Sequence, residues 1–521
     1  MTSYKSMAKA AAMISVLSVI SKILGFGREV ALAAVFGNSY QTDAYLVAMA
    51  IPTAILANVF GSLKTTIIPV YTKRLDKDPA DAKQFVNSLF IATGAVALVV
   101  MAIGYLFAPF IVHLLAPGFT DEVYNLTVKL SRILVPAVPF VALTAAATGV
   151  LHSHKAFFWP AVIGFPYNII LITGMLVFGA RYGVEAVAVA LVLAIASQFA
   201  MQVPGLIKAK AFSRERFQAF HPGLIEIAVL TGPILIGLIG NEINLIVDRM
   251  LASTLAEGSI SALNFAKRLW QMPNGLFGVA VFTVFYPELS RLAAAAQSKE
   301  FKRCFQRAVT SVLFMLTPMM VGLMVLRKPI VEVLFEWGAF DRAATEATAI
   351  ALLFYSLGLV AVALRQLLAR TFYSLHDTRT PVLISLSCIS LNIIFNLLLI
   401  RPMGHGGLAL ATSLANLLVL VPMFYLLRRK VGSINGLKIT KDALKLFTAA
   451  GIMGLAVWFI YINVAILWAT ASRFLQAGIL GLMIGFGAMV YFILCYLFGI
   501  EELILLLKTM RKKLLVLCRA N

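Results

Sequence analysis

Nine lysines and arginines stand inside stretches that are otherwise apolar: Lys22, Arg28, Lys64, Arg132, Arg249, Lys267, Arg268, Arg365 and Arg370. At the centre of a membrane helix each would cost roughly 2.5–3.5 kcal/mol on insertion scales. Such side chains therefore belong near helix ends, where they reach out to water, or in a wet interior where they have a task. The first two apolar segments carry Lys22, Arg28, Glu29 and Asp43, and the seventh and eighth carry Asp248, Arg249, Asn264, Lys267 and Arg268. Bases outnumber acids here. That excess suits a phosphate-bearing anion, which arginine grips with a bidentate fork. The competing reading is a set of interhelical ion pairs, such as Arg28 with Asp43 or Glu29. On a helix Lys22 and Glu29 fall on similar faces, with Arg28 roughly 120° away. A kink at Gly25 and Gly27 would relax that angle.

A second polar set is uncharged apart from one acid. Asn392 and Asn396 share a helix face, Thr412 and Ser413 follow on the next segment, and with Asp248 they could offer oxygens to a small cation. The same side chains also serve as ordinary interhelical hydrogen bonds. Other chemistry is not signalled. The histidines form no H-E-x-x-H, with His152 and His154 in a short loop. The cysteines Cys304, Cys388, Cys495 and Cys518 form no C-x-x-C, and neither a Walker motif nor G-x-S-x-G occurs. The reading is of a transporter rather than an enzyme, with no cofactor and no ATP site of its own.

The elements that hold these residues are membrane helices. Of 521 residues 61% are hydrophobic and 13% charged, and apolar runs of about 20 residues recur from end to end. We expect an all-α polytopic protein of about fourteen transmembrane helices, with a retained first helix rather than a cleaved signal peptide. The spans are roughly 8–36, 41–70, 85–115, 124–150, 158–180, 184–206, 224–252, 259–288, 305–327, 344–374, 381–400, 407–427, 444–466 and 474–499. With the N-terminus inside, cytoplasmic segments hold 28 Lys and Arg and outer segments seven, a strong positive-inside bias. Both termini are then cytoplasmic. The net charge of +21 follows from this topology and not from nucleic-acid binding.

Landmarks also recur at one offset. Pro52 closes DAYLVAMAIP and Pro273 closes FAKRLWQMP, 221 residues on; PFIVHLLAPGF at 109–119 returns as PIVEVLFEWGAF at 329–340. LHSHKAFFWP and YSLHDTRTP end at Pro160 and Pro381, and GVEAVAVA and GGLALATS begin at Gly183 and Gly406. Under this offset Arg28 matches Arg249, and Asp43 matches Asn264. Two parallel six-helix lobes related by a pseudo-two-fold along the membrane normal follow. The expected division is 1–206 for the first lobe, 207–222 for a basic linker and 223–430 for the second lobe. Two further helices and a basic tail fill 431–521.

With these residues in view, the chain resembles the MurJ/MviN family of lipid II flippases, within the multidrug/oligosaccharidyl-lipid/polysaccharide exporter superfamily. The resemblance covers residues 1 to about 500. It is carried by SKILGFGRE at 21–29 with the FG after it, TDAY at 42–45, APGF at 116–119, KRLWQMPNGLFGVAVFTVFYPELS at 267–290 and FYSLHDTRTPV at 372–382. It implies a V-shaped pair of lobes in a bacterial inner membrane. Through a cationic central cavity, undecaprenyl-diphosphate-linked disaccharide pentapeptide passes to the outer leaflet. By the same resemblance Arg28 and Arg268 are cavity arginines, and Glu29, Lys22 and Asp43 match neighbouring charged positions. The last two helices form a groove for the lipid tail, and Asp248, Asn392, Asn396 and Thr412 fall near a sodium site found in part of the family. The peptidoglycan-synthesis machinery is the implied partner. The chain departs from the pattern where many members carry Arg-Arg soon after the helix-2 proline: here stand Leu56 and Ala57, with Lys64 one or two turns on. Lys267 and Gln271 stand where acids often flank the second arginine. The cavity is thus more basic than usual. Another polyprenyl-diphosphate glycan is the alternative cargo, and a multidrug/cation antiporter fits the positive charge poorly.

Overall fold

The computed structural model describes residues 2–212 and 221–505. Arg214 and Arg216 of the expected linker, and the basic tail with Lys508, Arg511, Lys512, Lys513 and Arg519, lie outside the described residues. Those described are helical with no strand. The helices are α1 Thr2–Phe36, α2 Tyr40–Lys77, α3 Pro79–Leu106, α4 Ala108–Leu115, α5 Asp121–Ser153, α6 Phe158–Tyr182, α7 Val184–Lys208 and α8 Pro222–Ser253. Then follow α9 Ser259–Ala294, α10 Ser298–Val325, α11 Arg327–Phe335, α12 Arg342–Leu357, α13 Leu359–Ser374, α14 Arg379–Val431, α15 Gly436–Asn463, α16 Ala465–Thr470 and α17 Arg473–Leu497. By length and composition ten of the described helices can cross a membrane, or eleven when α12 and α13, bent by 41°, count as one span. Fourteen were expected. Part of the difference is α14, whose 53 residues contain a break at Gly404 with φ +56°. The chain doubles back there. Asn392 hydrogen-bonds Thr412 across the hairpin, and Lys430 at its end reaches Asp377 just before its start. Gly407 makes the turn possible, because a Cβ there would lie 2.3 Å from the Leu399 carbonyl oxygen.

The chain forms two compact units. The first is Met1–Ser261 with Trp337–Asp341, and the second is Ala262–Glu336 with Arg342–Asn521. The helix expected to open the second lobe, α8, belongs by its packing to the first: it lies on α2, α3 and α4. Polar contacts explain that placement. Arg74 of α2 pairs with Asp81 and with Glu226 of α8, and His221, which caps α8 by accepting from the Gly223 N–H, also meets Asp81 at 3.1 Å.

Lipid tails are as apolar as leucine, so helices in a membrane gain little from burying apolar area against one another and rely on close packing. The first unit is built that way. Ala142, Ala145, Ala146 and Gly149 line one side of α5, and a Cβ on Gly149 would lie 3.0 Å from the Ile67 side chain. Tyr71, Phe85, Leu89, Val150 and Leu206 complete that core. In the second unit α10 packs on α15 and α13, and the Tyr491 hydroxyl of α17 donates to the Phe314 carbonyl of α10 at 2.9 Å. Arg473 at the start of α17 meets Glu336, and Trp468 donates to Glu332, which fastens the last helices to α11. A short π-helical stretch follows or contains the proline in both α2 (Ile51–Ile55, with Pro52) and α9 (Asn274–Gly278, after Pro273). These are the two prolines that the 221-residue offset pairs.

Candidate substrate-binding site

In the first unit the site grows from α1, which is helical without interruption from Thr2 to Phe36. The close approach between α1 and α6 is made at Gly164. A Cβ on Gly164 of α6 would meet Ser21 Oγ, and a Cβ on Gly25 would reach Asn168 Oδ1 at 3.8 Å. Asn168 donates to the Gly164 and Ser21 carbonyls, joining the two helices. This contact sets the Arg28 guanidinium above the Tyr167 ring, 5.5 Å from its centroid. Arg28 also pairs with Glu29 at 2.5 Å, the acid nearly buried and the base about one-sixth exposed. Of the two ion pairs that the competing reading offers, Arg28 makes the one with Glu29, its neighbour on the same helix. Arg28 keeps an accessible edge with one charged neighbour and one π face. It is a place where an anion can be bound by the remaining N–H donors.

Asp43 has a different setting. Its side chain is 3% exposed, and its two oxygens accept from the Gly258 N–H at 2.8 Å and the Ser261 N–H at 2.7 Å. It holds the turn that starts α9, a carboxylate at a helix N-terminus, where anions are favoured. The sequence leaves open whether Asp43 pairs with Arg28 or meets cargo; here its two oxygens accept from backbone amides.

The other intramembrane bases are spread over both units. Arg249 donates to the Leu46 carbonyl at 3.0 Å, Arg132 lies over Tyr105, Arg365 donates to Asn416 at 2.8 Å, and Arg370 lies 4.3 Å from the Phe282 ring centroid. These have structural partners. Lys22 is exposed on α1, Lys64 lines a cavity inside the first unit, and Lys267 and Arg268 are half-buried neighbours on α9 in the second unit. Sequence reasoning passed over Glu242, which accepts from Asn58 at 2.7 Å within the first unit. An acid in an apolar run was a readable signal. Tyr167 gave no signal at all, because only the fold brings it to Arg28.

The candidate cation residues are distributed over the two units. Asp248, in the first, accepts from Asn244 at 3.5 Å. In the second, Asn396 donates to Asn392 at 3.2 Å and Asn392 to Thr412 at 3.3 Å, a chain of neutral amide and hydroxyl groups. Among the described residues no group of three or more His, Cys, Asp or Glu could hold a metal ion. The second unit also contains a cavity of about 500 Å³ between α9, α10, α15 and α17, lined almost wholly by apolar side chains such as Phe277, Phe314, Met453 and Met483.

Against known proteins this arrangement is familiar. The family described as "Lipid II flippase MurJ" matches residues 32–477. A "Probable lipid II flippase MurJ" of Rhizobium tropici is 29% identical over 506 residues, covering 95% of this chain and 94% of its own. One from Vibrio cholerae is 32% identical over 430 residues, covering 79% and 81%. A solved structure titled "Lipid II flippase MurJ, inward closed conformation" superposes with a TM-score of 0.80 at 27% identity, over 95% of this chain and 100% of that one. An inward-facing multidrug transporter of the MATE family, 13% identical, shares the fold with a TM-score of 0.65 over 80% of this chain and 96% of its own. The chain is a multi-pass membrane protein that belongs to the lipid II flippase MurJ family.

Proposed function

We propose that this protein carries lipid II, the polyprenyl-diphosphate-linked peptidoglycan precursor, from the inner to the outer leaflet of the bacterial cytoplasmic membrane. The observation that carries the reading is Arg28, held in a membrane helix over Tyr167 with a single acid beside it. An arginine so placed matches a diphosphate. Lys22 and Lys64 add positive charge in the first unit, and Lys267 and Arg268 do so in the second. The apolar cavity bounded by α15 and α17 suits a polyprenyl tail. Alternating access moves the head group while the tail stays in lipid, and no covalent chemistry is required.

With both termini cytoplasmic, outward movement of an anion runs down the membrane potential. A head with about two uncompensated charges gains roughly 4–5 kcal/mol per 100 mV. A small cation such as sodium, to which Asn392, Asn396 and Thr412 of the second unit offer oxygens, is the proposed means of resetting the empty carrier. The same reading sets the protein beside the peptidoglycan-synthesis machinery that makes and consumes this lipid.

The test is complementation of a bacterium depleted of its own lipid II flippase, at matched membrane levels. Wild type should rescue growth, and Arg28→Ala and Arg268→Ala should not. If well-expressed wild type fails, a different polyprenyl-diphosphate glycan becomes the better cargo. Full rescue by both variants would remove the assigned site.

A further inference from the structure

In the first unit, α1, α2, α5, α6 and α7 line an open cavity of about 660 Å³, within the size range of ligand pockets. Its walls carry Lys64, Thr144, Thr148, His152, Tyr167 and Gln198, and no carboxylate lines it. Two observations point to a ligand. Thr144 is nine-tenths buried and its Oγ1 has no hydrogen-bond partner, a cost a native structure normally avoids. Lys64 makes no ion pair with a carboxylate among the described residues, although it sits in a membrane helix. One ammonium among hydroxyls, an imidazole and an amide suits a singly charged, hydroxyl-rich or amide-rich group rather than a diphosphate. A diphosphate would be better held by a guanidinium fork. The cavity also has a shared wall with the Arg28 site, because Tyr167 lines the one and lies beneath the guanidinium of the other.

We propose that this cavity is a subsite for the sugar–peptide portion of the cargo's head group, with Lys64 pairing a peptide carboxylate and Thr144 and Gln198 hydrogen-bonding the polar chain beside it. The inference rests on the proposed function, since it assumes a diphosphate at Arg28 with a carboxylate-bearing head attached. It gives Lys64 a task different from replacing an absent arginine: it reads the part of the head that distinguishes one lipid-linked glycan from another.

The experiment is binding to the purified full chain in lipid nanodiscs. Three lipids are compared: the polyprenyl-diphosphate disaccharide with its pentapeptide, the same lipid with peptide carboxylates amidated, and the same lipid without peptide. Lys64→Met should weaken binding of the first about tenfold, at least about fivefold more than it weakens binding of the third. Amidation should reproduce that loss on wild type, and Lys64→Arg should recover most of it. Thr144→Val should weaken both peptide-bearing lipids by about threefold and spare the third. Equal weakening of all three lipids by Lys64→Met, or none, overturns the subsite while leaving the flippase reading intact. Wild type that binds none of the three overturns that reading and the subsite with it.

Discussion

Arg28 and Asp43 lie fifteen positions apart in the first unit, and at the level of sequence they form one cluster. The fold uses them in opposite ways. Asp43 is sealed, with both oxygens occupied by backbone N–H groups at 2.7 and 2.8 Å. Arg28 rests on a ring and one neighbouring acid and keeps an accessible edge. Charge inside a membrane helix is thus not one category. An acid can be consumed in shaping a turn, while a base nearby is positioned by a pair it can share with a ligand. The difference can be broken experimentally. Asp43→Ala strands two buried amides that made charge-assisted bonds, and should cost about 3–5 kcal/mol of stability, read as thermal unfolding in detergent and as membrane level. Arg28→Ala alone removes the arginine partner of the nearly buried Glu29 and should also destabilise. The double variant Arg28→Met/Glu29→Gln should regain stability to within about 1 kcal/mol of wild type while transport stays absent. If that double variant transports, Arg28 is structural after all. If Asp43→Ala unfolds no more readily than wild type, the contrast itself is wrong.

The surroundings of Asp43 explain why that end of the unit is so rigidly specified. Gly37, Gly258 and Gly338 all have positive φ, and a Cβ on each would lie 2.3, 2.8 and 2.2 Å from a backbone oxygen, of Ala339, Asn38 and Ala34 respectively. Gly118 meets the Ser253 carbonyl oxygen in the same fashion at 2.6 Å. Thr42 donates to the Gly37 carbonyl, and the Ala339 N–H to the Ala34 carbonyl. The backbones touch. Gly338→Ala must both enter the left-handed region and push that contact apart, so we expect a loss of about 2–3 kcal/mol. The next test is thermal unfolding of Gly338→Ala beside Gly436→Ala, where nothing lies within 4 Å of the added carbon. Equal effects would show that the nest around Asp43 is not closely packed.

Much of this was legible in the sequence. Hydropathy disclosed an all-helical membrane protein, and the charge census listed nine intramembrane bases without separating those with structural partners from the rest. The segments that carry the family resemblance were visible too, but not what they do: TDAY contributes Thr42 and Asp43 and APGF contributes Gly118, as EWGAF of the internal repeat contributes Gly338, all to backbone contacts. Position alone could not separate those roles, because a buried acid reads the same whether it caps a turn or meets a ligand. The placement of α8 was also hidden. A 221-residue offset groups α8 with the later helices by ancestry, whereas its packing follows Arg74, Glu226 and Asn58 of the first unit. Tyr167 and Thr144 were invisible for a plainer reason: an aromatic and a hydroxyl in apolar helices are ordinary until the fold shows what faces them.

A smaller effect sharpens the comparison at a site outside the membrane helices. Asp377, like Asp43, is an acid spent on structure: it accepts from the Thr380 N–H and hydroxyl and pairs with Lys430 at 2.8 Å, closing the α14 hairpin. Burial alone would raise its pKa, but the bonds from Lys430 and Thr380 outweigh that and hold the carboxyl down at about 2. A carboxyl depressed in the folded state stabilises the protein fully above its unfolded value, near 3.8, and loses that contribution as pH falls toward about 2. Wild type should therefore lose thermal stability between pH 4 and pH 2 by more than Asp377→Asn does, with the two curves parallel above about pH 5. Lys430→Met should halve the difference or better, since it removes the charged partner and leaves Thr380 in place. Because Lys430 is well exposed, the whole effect should shrink in high salt, whereas the loss in Asp43→Ala should not, its partners being buried amides that salt does not reach.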